Sequence, residues 1–466
     1  MTRARVAPLP RMALAAEDER TGAETARVAA ARGLPVERLG LEAAIDAPVG
    51  AILYAPAAPP AAAAAARLAP LAQAAAERRR PLVLLAAFER ARGRLGDERA
   101  AALAFLAAHG AIPVDDPDAW FETAVLVAAH GVPLGPRVAV VAPPGGWLAL
   151  AATALSLEEE ARGGARLPVA DAAAPPADIV LVDAGLDAPA HAGRALVVPI
   201  VARAEMAPDD GRPVLCGLRA SLAAAAAAGR HAERLAAGLG PAPIADVRRL
   251  RVDRARADKA LAHAGDRLGD HETKLLLSAY GASVNRQAVA QTPSAAVRYA
   301  QQIGFPVELV PWEPTLAGAA EPVAARNPPE VRRGFAAVAT AAGLAVGVPV
   351  IVRAPAAPGR AVRGRVERLP ELGPTLLADI AGAPRPLAAP APLRRPDADE
   401  IAATLIASRA GDAPPDRAAL AELLIRASFA AVEHDLELLD LERVVVASRG
   451  GGAMVMDARA RLRRKP

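Results

Sequence analysis

The stretch HETKLLLSAYGASV (271–284), continued by QTPSAAVRYAQQIGFPVELV (291–310), decides how the rest of the chain reads. Its first part predicts a short helix. Leu275, Leu276 and Ala279 share a face, and Tyr280-Gly281 supplies the stop. A short strand is expected at Ser283 and Val284. A second helix runs from Pro293 through Val297 and Ala300 to Ile303, with Gly304 as its cap. FPVELV (305–310) then reads as a buried strand. The order is helix, Tyr-Gly, strand, helix, Gly-aromatic-Pro-Val, strand.

Working outward toward the N-terminus, residues 8–131 alternate strand and helix. Strands are expected at 11–16, 36–41, 49–54, 81–86 and 112–114. Helices are expected at 21–32, 61–79, 97–108 and 118–129. Such alternation means a parallel sheet with helices on both faces. The strands are unbroken apolar runs, as a sheet covered on both sides requires. GPRVAVV (135–141) restarts the pattern. A PPGG turn (143–146) precedes a helix at 147–160, strands follow at 177–183, 195–201 and 213–216, and a helix at 221–239 closes the set. Residues 242–266 read as a charged linker helix. Beyond the deciding stretch, strands are expected at 346–352 and within 369–380, and helices at 397–408 and 417–431. Strand 436–447 should pair antiparallel with 453–457 across the glycine turn at 450–452.

Composition narrows the class. The chain has 466 residues, room for two to four domains, and 53% are hydrophobic, enough for large cores. Its 55 basic residues nearly balance 51 acidic ones, and much of the excess sits in RARLRRK (459–465). That segment is expected to be a solvated tail. No aromatic side chains are interleaved with it, so it carries neither a nucleic-acid nor a membrane signature. One cysteine, Cys216, excludes an internal disulfide and a cysteine-based zinc site, and it is expected to be a buried, inert thiol. The first residues lack the apolar core of a signal peptide, and no apolar run is of membrane-spanning quality. The expectation is a soluble cytoplasmic protein.

Laid out this way, the chain resembles the NDP-forming acyl-CoA synthetases, relatives of acetyl-CoA and succinyl-CoA ligases. PRMALA, ARGLPVERLG, AILYAP, RPLVLL and HGAIPVDDPDAWFETA match the first part of the family pattern, and GPRVAVVAPPGG the second. The deciding stretch, with LGPTLLADIAG, ASRAGDAPPDRAAL, LDLERVVV and MVMDARARL, matches its ATP-grasp part. The resemblance implies an α/β chain: two flavodoxin-like, succinyl-CoA-ligase-like parallel-sheet domains at 1–131 and 132–241, a linker at 242–268, and an ATP-grasp-like α+β domain at 269–466. The family's Rossmann-type CoA-binding domain is expected to be absent.

The resemblance also says where chemistry should sit. The family carries phosphate on a loop histidine in a Ser-His-Thr-Gly segment, because an imidazole nitrogen can take and release a phosphoryl group near neutral pH. Here the place reads FERARGRLGDERAAALAFLAAHG (88–110), so no catalytic residue is assigned. His109 falls at a helix end and is expected to be a capping or surface residue. Val310 stands where the family has a lysine that contacts nucleotide phosphates. Ala317 and Gly318 stand near a family His-Lys pair, beside a Gly-Gly phosphate cradle. The family's acidic-x-Asn-Pro metal motif becomes Asp440-Leu441-Glu442-Arg443, with Asp440 and Glu442 as candidate Mg²⁺ ligands and Arg443 as a cation beside them. Arg409 matches an arginine-glycine pair that Ala410 interrupts. Gly22 remains of a glycine-rich turn whose EDERTG now carries acidic residues that would repel CoA or an acyl phosphate. The family implies ATP or ADP, Mg²⁺ and CoA as cofactors; the altered positions argue against their use.

The expectation is therefore a catalytically degenerate family member with a regulatory, binding or assembly role. Two alternatives stand beside it: an active ADP-forming acyl-CoA ligase subunit completed by a partner chain, and a nucleotide- or CoA-sensing module. The partners to expect are a CoA-binding-domain subunit or further copies of the chain.

Overall fold

The computed structural model describes residues 11–86, 93–161, 169–170, 177–184, 195–203, 213–262, 265–312, 322–341, 349–379, 386–407 and 413–463. The chain forms two compact units, one built on Met1–Gly240 and the other on the chain from Pro241 onward.

The first unit opens with β1 (Met12–Ala16), α1 (Glu19–Ala31), β2 (Val36–Arg38), α2 (Leu41–Asp46) and β3 (Ala51–Ala55). It continues through α3 (Ala62–Glu77), β4 (Leu82–Leu85), α4 (Gly93–Ala108), β5 (Ala111–Val114) and α5 (Pro117–His130). The strands form one parallel sheet in the order β2-β1-β3-β4-β5. Their apolar runs are buried end to end in β3, as expected for a sheet covered on both faces. A second set follows: β6 (Val138–Val141), α6 (Trp147–Ala161), β7 (Val169–Ala170), β8 (Ile179–Asp183), β9 (Leu196–Val201), β10 (Leu215–Cys216) and α7 (Leu218–Ala237). It too is parallel, ordered β10-β9-β8-β6-β7. The short elements α2 and β7 were not expected from the sequence.

α5 joins the two sheets. Every residue from Ala119 to Val127 is buried, Glu122 and Thr123 among them, and the apolar side chains enter a core shared by both sheets. The Trp120 indole N–H finds a partner in the Val83 carbonyl at 2.8 Å, and the Thr123 hydroxyl in the Ala119 carbonyl.

The second unit starts with a 3-10 helix (Ile244–Leu250) and α8 (Arg254–Leu261). Val247, Ala257 and Ala260 are buried in the core of this unit, so much of the segment expected as a linker is packed. Next come β11 (Arg267–Leu268), α9 (Asp270–Ala279), β12 (Gln287–Ala290), α10 (Pro293–Ile303), β13 (Val307–Pro311), β14 (Val323–Ala325), α11 (Pro328–Ala341) and β15 (Val350–Arg353). The chain ends with β16 (Arg360–Leu369), β17 (Gly373–Asp379), β18 (Leu387–Pro390), α12 (Arg395–Leu405), α13 (Arg417–Glu433), β19 (Leu436–Val446) and β20 (Ala453–Leu462).

Both sheets here are antiparallel. The smaller is ordered β12-β15-β13-β14 and the larger β11-β20-β19-β16-β17-β18. The helix expected at the deciding stretch stops at Tyr280, with Gly281 left-handed at φ +77°. α10 runs from Pro293 to Ile303 and is closed by Gly304, as read from the sequence, and Thr292 caps its start. Ser283 and Val284 make one bridge to Val455 rather than a strand. The expected solvated tail is corrected: β20 continues through Arg459 and Arg461, which pair in register with β19 and β11.

Candidate functional site

Alternation along the strands of the second unit separates two faces of each sheet. In the smaller sheet Val307, Leu309, Val350 and Val352 pack into a core with Val297 of α10 and Val331 of α11. Glu308, Val310 and Arg353 therefore lie on the opposite face. In the larger sheet Leu439, Leu441, Val444, Val455 and Ala458 enter the core with Leu420 and Leu424 of α13. The opposite face carries Asp440, Glu442, Arg443, Asp457 and Arg459. Register shifts between Asp440, Arg443 and Val444 place Glu442 and Arg443 in a bulge.

The two polar faces meet along a seam of ion pairs. Arg353 is 1% exposed, which ordinarily demands full pairing of a guanidinium. Its Nε donates to Glu308 at 3.0 Å, and its Nη1 to the Met456 carbonyl at 3.2 Å and to the Asp457 carboxylate. Arg443 lies 2.8 Å from Asp457 and 3.9 Å from Glu308, at ion-pair distance without hydrogen-bond geometry. Burial pushes the Asp457 carboxyl up, but Arg353 and Arg443 outweigh it and hold the group below the usual carboxylate range. Deeper in the seam Lys274 contacts Asp270 at 2.7 Å and donates to the Gln287 side chain at 3.0 Å. Asp270 in turn accepts the Ala458 N–H.

Asp440 and Glu442 lie on one strand and share a neighbour, Arg459. Asp440 faces Arg459 in register on β20 and Arg365 on β16, and Glu442 is ion-paired to Arg459. Burial raises the Asp440 carboxyl, with Arg459, Arg363 and Arg365 opposing. As a donor set for a divalent cation this fits poorly, because a metal would have to displace guanidinium groups and sit among further positive charge. Among the described residues, no group of three or more His, Cys, Asp or Glu is placed to hold a metal ion. Val310 is 8% exposed and offers no charge to a phosphate. His109 sits at the end of α4, its Nδ1 2.7 Å from the Phe105 carbonyl and its ring against Phe105. In the first strand–helix turn of the first unit, Asp18 caps α1 through the Thr21 N–H, while Glu17 accepts from the Tyr54 hydroxyl and the Ala57 N–H. The turn is filled by the protein's own carboxylates. At PPGG, Gly145 is left-handed and Gly146 N–H bonds the Pro143 carbonyl at 3.0 Å, so the motif is a tight turn opening α6. The glycine-cradle position at Ala317 and Gly318, Arg409 and most of the turn after β4 lie outside the described residues.

Sequence reasoning missed the seam itself. Glu308 within FPVELV and Arg353 at the end of VPVIVR were the available signal: single charges inside apolar strands, which are costly unless paired. Their partners lie far away in the chain, so spacing did not reveal them.

Residues 259–462 match the ATP-grasp domain family. The beta subunit of the ADP-forming acetate–CoA ligase II of Pyrococcus furiosus is 24% identical over 222 residues, 43% of this chain and 94% of that one. The dinucleotide-forming acetyl-coenzyme A synthetase 1 of Ca. Korarchaeum cryptofilum, solved with coenzyme A, Ca-AMPCP and HgCl⁺, is 26% identical, covering 45% of this chain and 99% of that one with a TM-score of 0.41. The crystal structure of PH1788 from Pyrococcus horikoshii is 23% identical, covering 48% of this chain and all of that one (100%) with a TM-score of 0.40. No helix among the described residues is long and apolar enough to cross a membrane. The second unit thus carries an ATP-grasp domain, and through it the chain is homologous to the beta subunit of an ADP-forming acetate–CoA ligase.

Proposed function

We propose that this chain is a non-catalytic relative of the NDP-forming acyl-CoA ligases, acting as a binding or assembly subunit. One observation carries the reading. On the seam of the ATP-grasp unit Val310 stands where the resemblance implies a phosphate-contacting cation, while the carboxylates Asp440, Glu442 and Asp457 all lie against arginines. A transferring phosphoryl group needs cations aimed at it, and these cations are engaged elsewhere. The two parallel sheets of the first unit, each ordered with its first strand inside and its second at the edge, suit two flavodoxin-like modules of the succinyl-CoA-ligase kind. Fold alone does not supply activity, which resides in the site.

Purified protein with ATP, Mg²⁺, CoA and a panel of short carboxylic acids should form no acyl-CoA. Labelled ATP should leave no acid-labile phosphate on the chain. Clear turnover would overturn the reading. A second reading rests on the P. furiosus relative, which is by name a subunit. In that reading the chain forms an acyl-CoA ligase together with a partner that brings a phosphoryl-carrying histidine and a CoA-binding domain. Co-expression with a CoA-binding-domain subunit, followed by the same assay, separates the two.

A further inference from the structure

The seam joins the two sheets of the second unit by more than its ion pairs. The segment leaving α9 bridges through Val284 to Val455, and the Asn285 N–H bonds the Val455 carbonyl at 3.3 Å. The Asn285 side-chain amide donates to the Ala354 carbonyl at 3.1 Å, one residue beyond Arg353. Glu308 and Arg353 come from the smaller sheet, Asp457 and Arg443 from the larger, and every cross-sheet contact among them joins opposite signs. Two guanidinium groups meet two carboxylates, so the cluster is neutral without an added ion. Glu308 lies two residues before Val310 on the same face, and Arg443 directly follows Glu442. The cluster thus stands beside Val310 and Glu442, the positions where the family resemblance implies phosphate and metal contacts.

We infer that Arg353 and Arg443 are the resident cations of this seam: they neutralise its carboxylates and brace the two sheets together without a divalent metal. A guanidinium suits this role because its charge is permanent and its planar fork reaches several acceptors at once. A bound metal would need carboxylates released from arginine, and Arg353, almost wholly buried, would then lose its charged partners. The inference concerns how the unit is held together and goes beyond the loss of catalysis. A chain that turned over acyl-CoA could still be braced this way, and an inactive chain could lack the brace.

Thermal unfolding of the intact protein tests the first half. Millimolar Mg²⁺ or Mn²⁺, each against an EDTA control, should leave Tm unchanged. A rise that saturates with either cation overturns the inference, because a cation that binds the native seam must stabilise it. Hydrogen exchange tests the brace. Arg353→Met should lower Tm by about 5 °C or more and speed exchange of the Val455 and Asn285 amides by about tenfold or more. Unchanged exchange at those amides overturns it. Should that variant fail to fold, Arg443→Met, at the more exposed arginine, reads the same amides; faster exchange there supports the brace and none overturns it.

Discussion

Each unit of this protein buries an arginine where two sheets share one structure, and the two solutions differ. In the first unit Arg32, at the end of α1, forks onto Glu122 of α5 with one of the two contacts at 3.2 Å. The spare donors and acceptors go to main chain: Arg32 donates to the Val214 carbonyl at 2.9 Å, and Glu122 accepts the Cys216 N–H at 3.0 Å. The device is closed, with one charge of each sign and no substitute for either. In the second unit Arg353 divides its donors between Glu308 and Asp457, and both carboxylates also lie near Arg443. That device is a lattice, and losing one member leaves the others partly paired. The closed pair strengthens a join that the apolar helix α5 already makes. The lattice stands beside Val310 and Glu442, and its redundancy suits the role of resident cations inferred for Arg353 and Arg443.

The largest effect should come from breaking the closed pair. Glu122→Gln leaves Arg32 charged and buried, and is expected to cost about 3–5 kcal/mol. Urea unfolding followed by near-ultraviolet circular dichroism would measure it. A loss under about 1 kcal/mol would mean that Arg32 swings out to water and that the comparison fails.

Acid should also separate the units. Burial pushes His231, on α7, down to about 4 from its usual 6.5, with Arg234 adding to the effect. The folded chain keeps this imidazole neutral while the unfolded chain protonates it. Stability is therefore complete above about 6.5 and is lost as pH falls toward 4, by up to about 3 kcal/mol. His434 of the second unit is also lowered by burial, but Glu433 opposes the shift. Asp457 is held below the carboxylate range, so its contribution persists until pH falls below about 4. The first unit should lose urea resistance earlier on acidification, and His231→Leu should flatten that loss. Parallel acid profiles for both units would contradict this.

Glu308→Gln should be milder than Glu122→Gln, about 1.5–3 kcal/mol, because Asp457 still answers both arginines. Equal losses from the two substitutions would erase the distinction between pair and lattice.

What the sequence disclosed follows the same division. Element order in the first unit was legible because parallel strands such as AILYA and LVLL are apolar throughout and their helices are closed by local signals such as Gly33 and Gly110. The breaks at Tyr280-Gly281 and Gly304 were legible for the same reason. Elements held mainly by distant partners were not. β16, RAVRGRVERL, is rich in arginine and is assigned no element from the sequence, yet it lies between β17 and β19, where Asp379 and Asp440 face its arginines, while its own Glu367 pairs with Arg365. β20 looked like a tail beyond Asp457 because RARL carries alternating charge, which is what a strand with one polar face requires. The candidate ligands Asp440 and Glu442 came from matching the chain to the family's acidic-x-Asn-Pro motif. That Arg459 lies against both depends on a strand pairing that spacing does not encode.

The smallest expected effect probes whether a local device behaves as independently as the lattice and the pair are shared. Asp416 caps α13 through the Ala419 N–H at 3.1 Å, and its other oxygen accepts the N–H groups of Gly450 and Gly452 at 3.0 and 3.1 Å. Those amides hold its carboxyl below the ordinary range, the cap at Ala419 contributing most. Gly450 and Gly452 are both left-handed, so the turn between β19 and β20 has the geometry to present two N–H groups to one acceptor. Asp416→Ala should cost about 1 kcal/mol, the usual loss of a helix cap. It should speed exchange of the Gly450 and Gly452 amides while leaving Val455, in the seam, unchanged. If Val455 exchanges faster as well, the turn is part of the brace, and the lattice extends from Arg353 to the hairpin end.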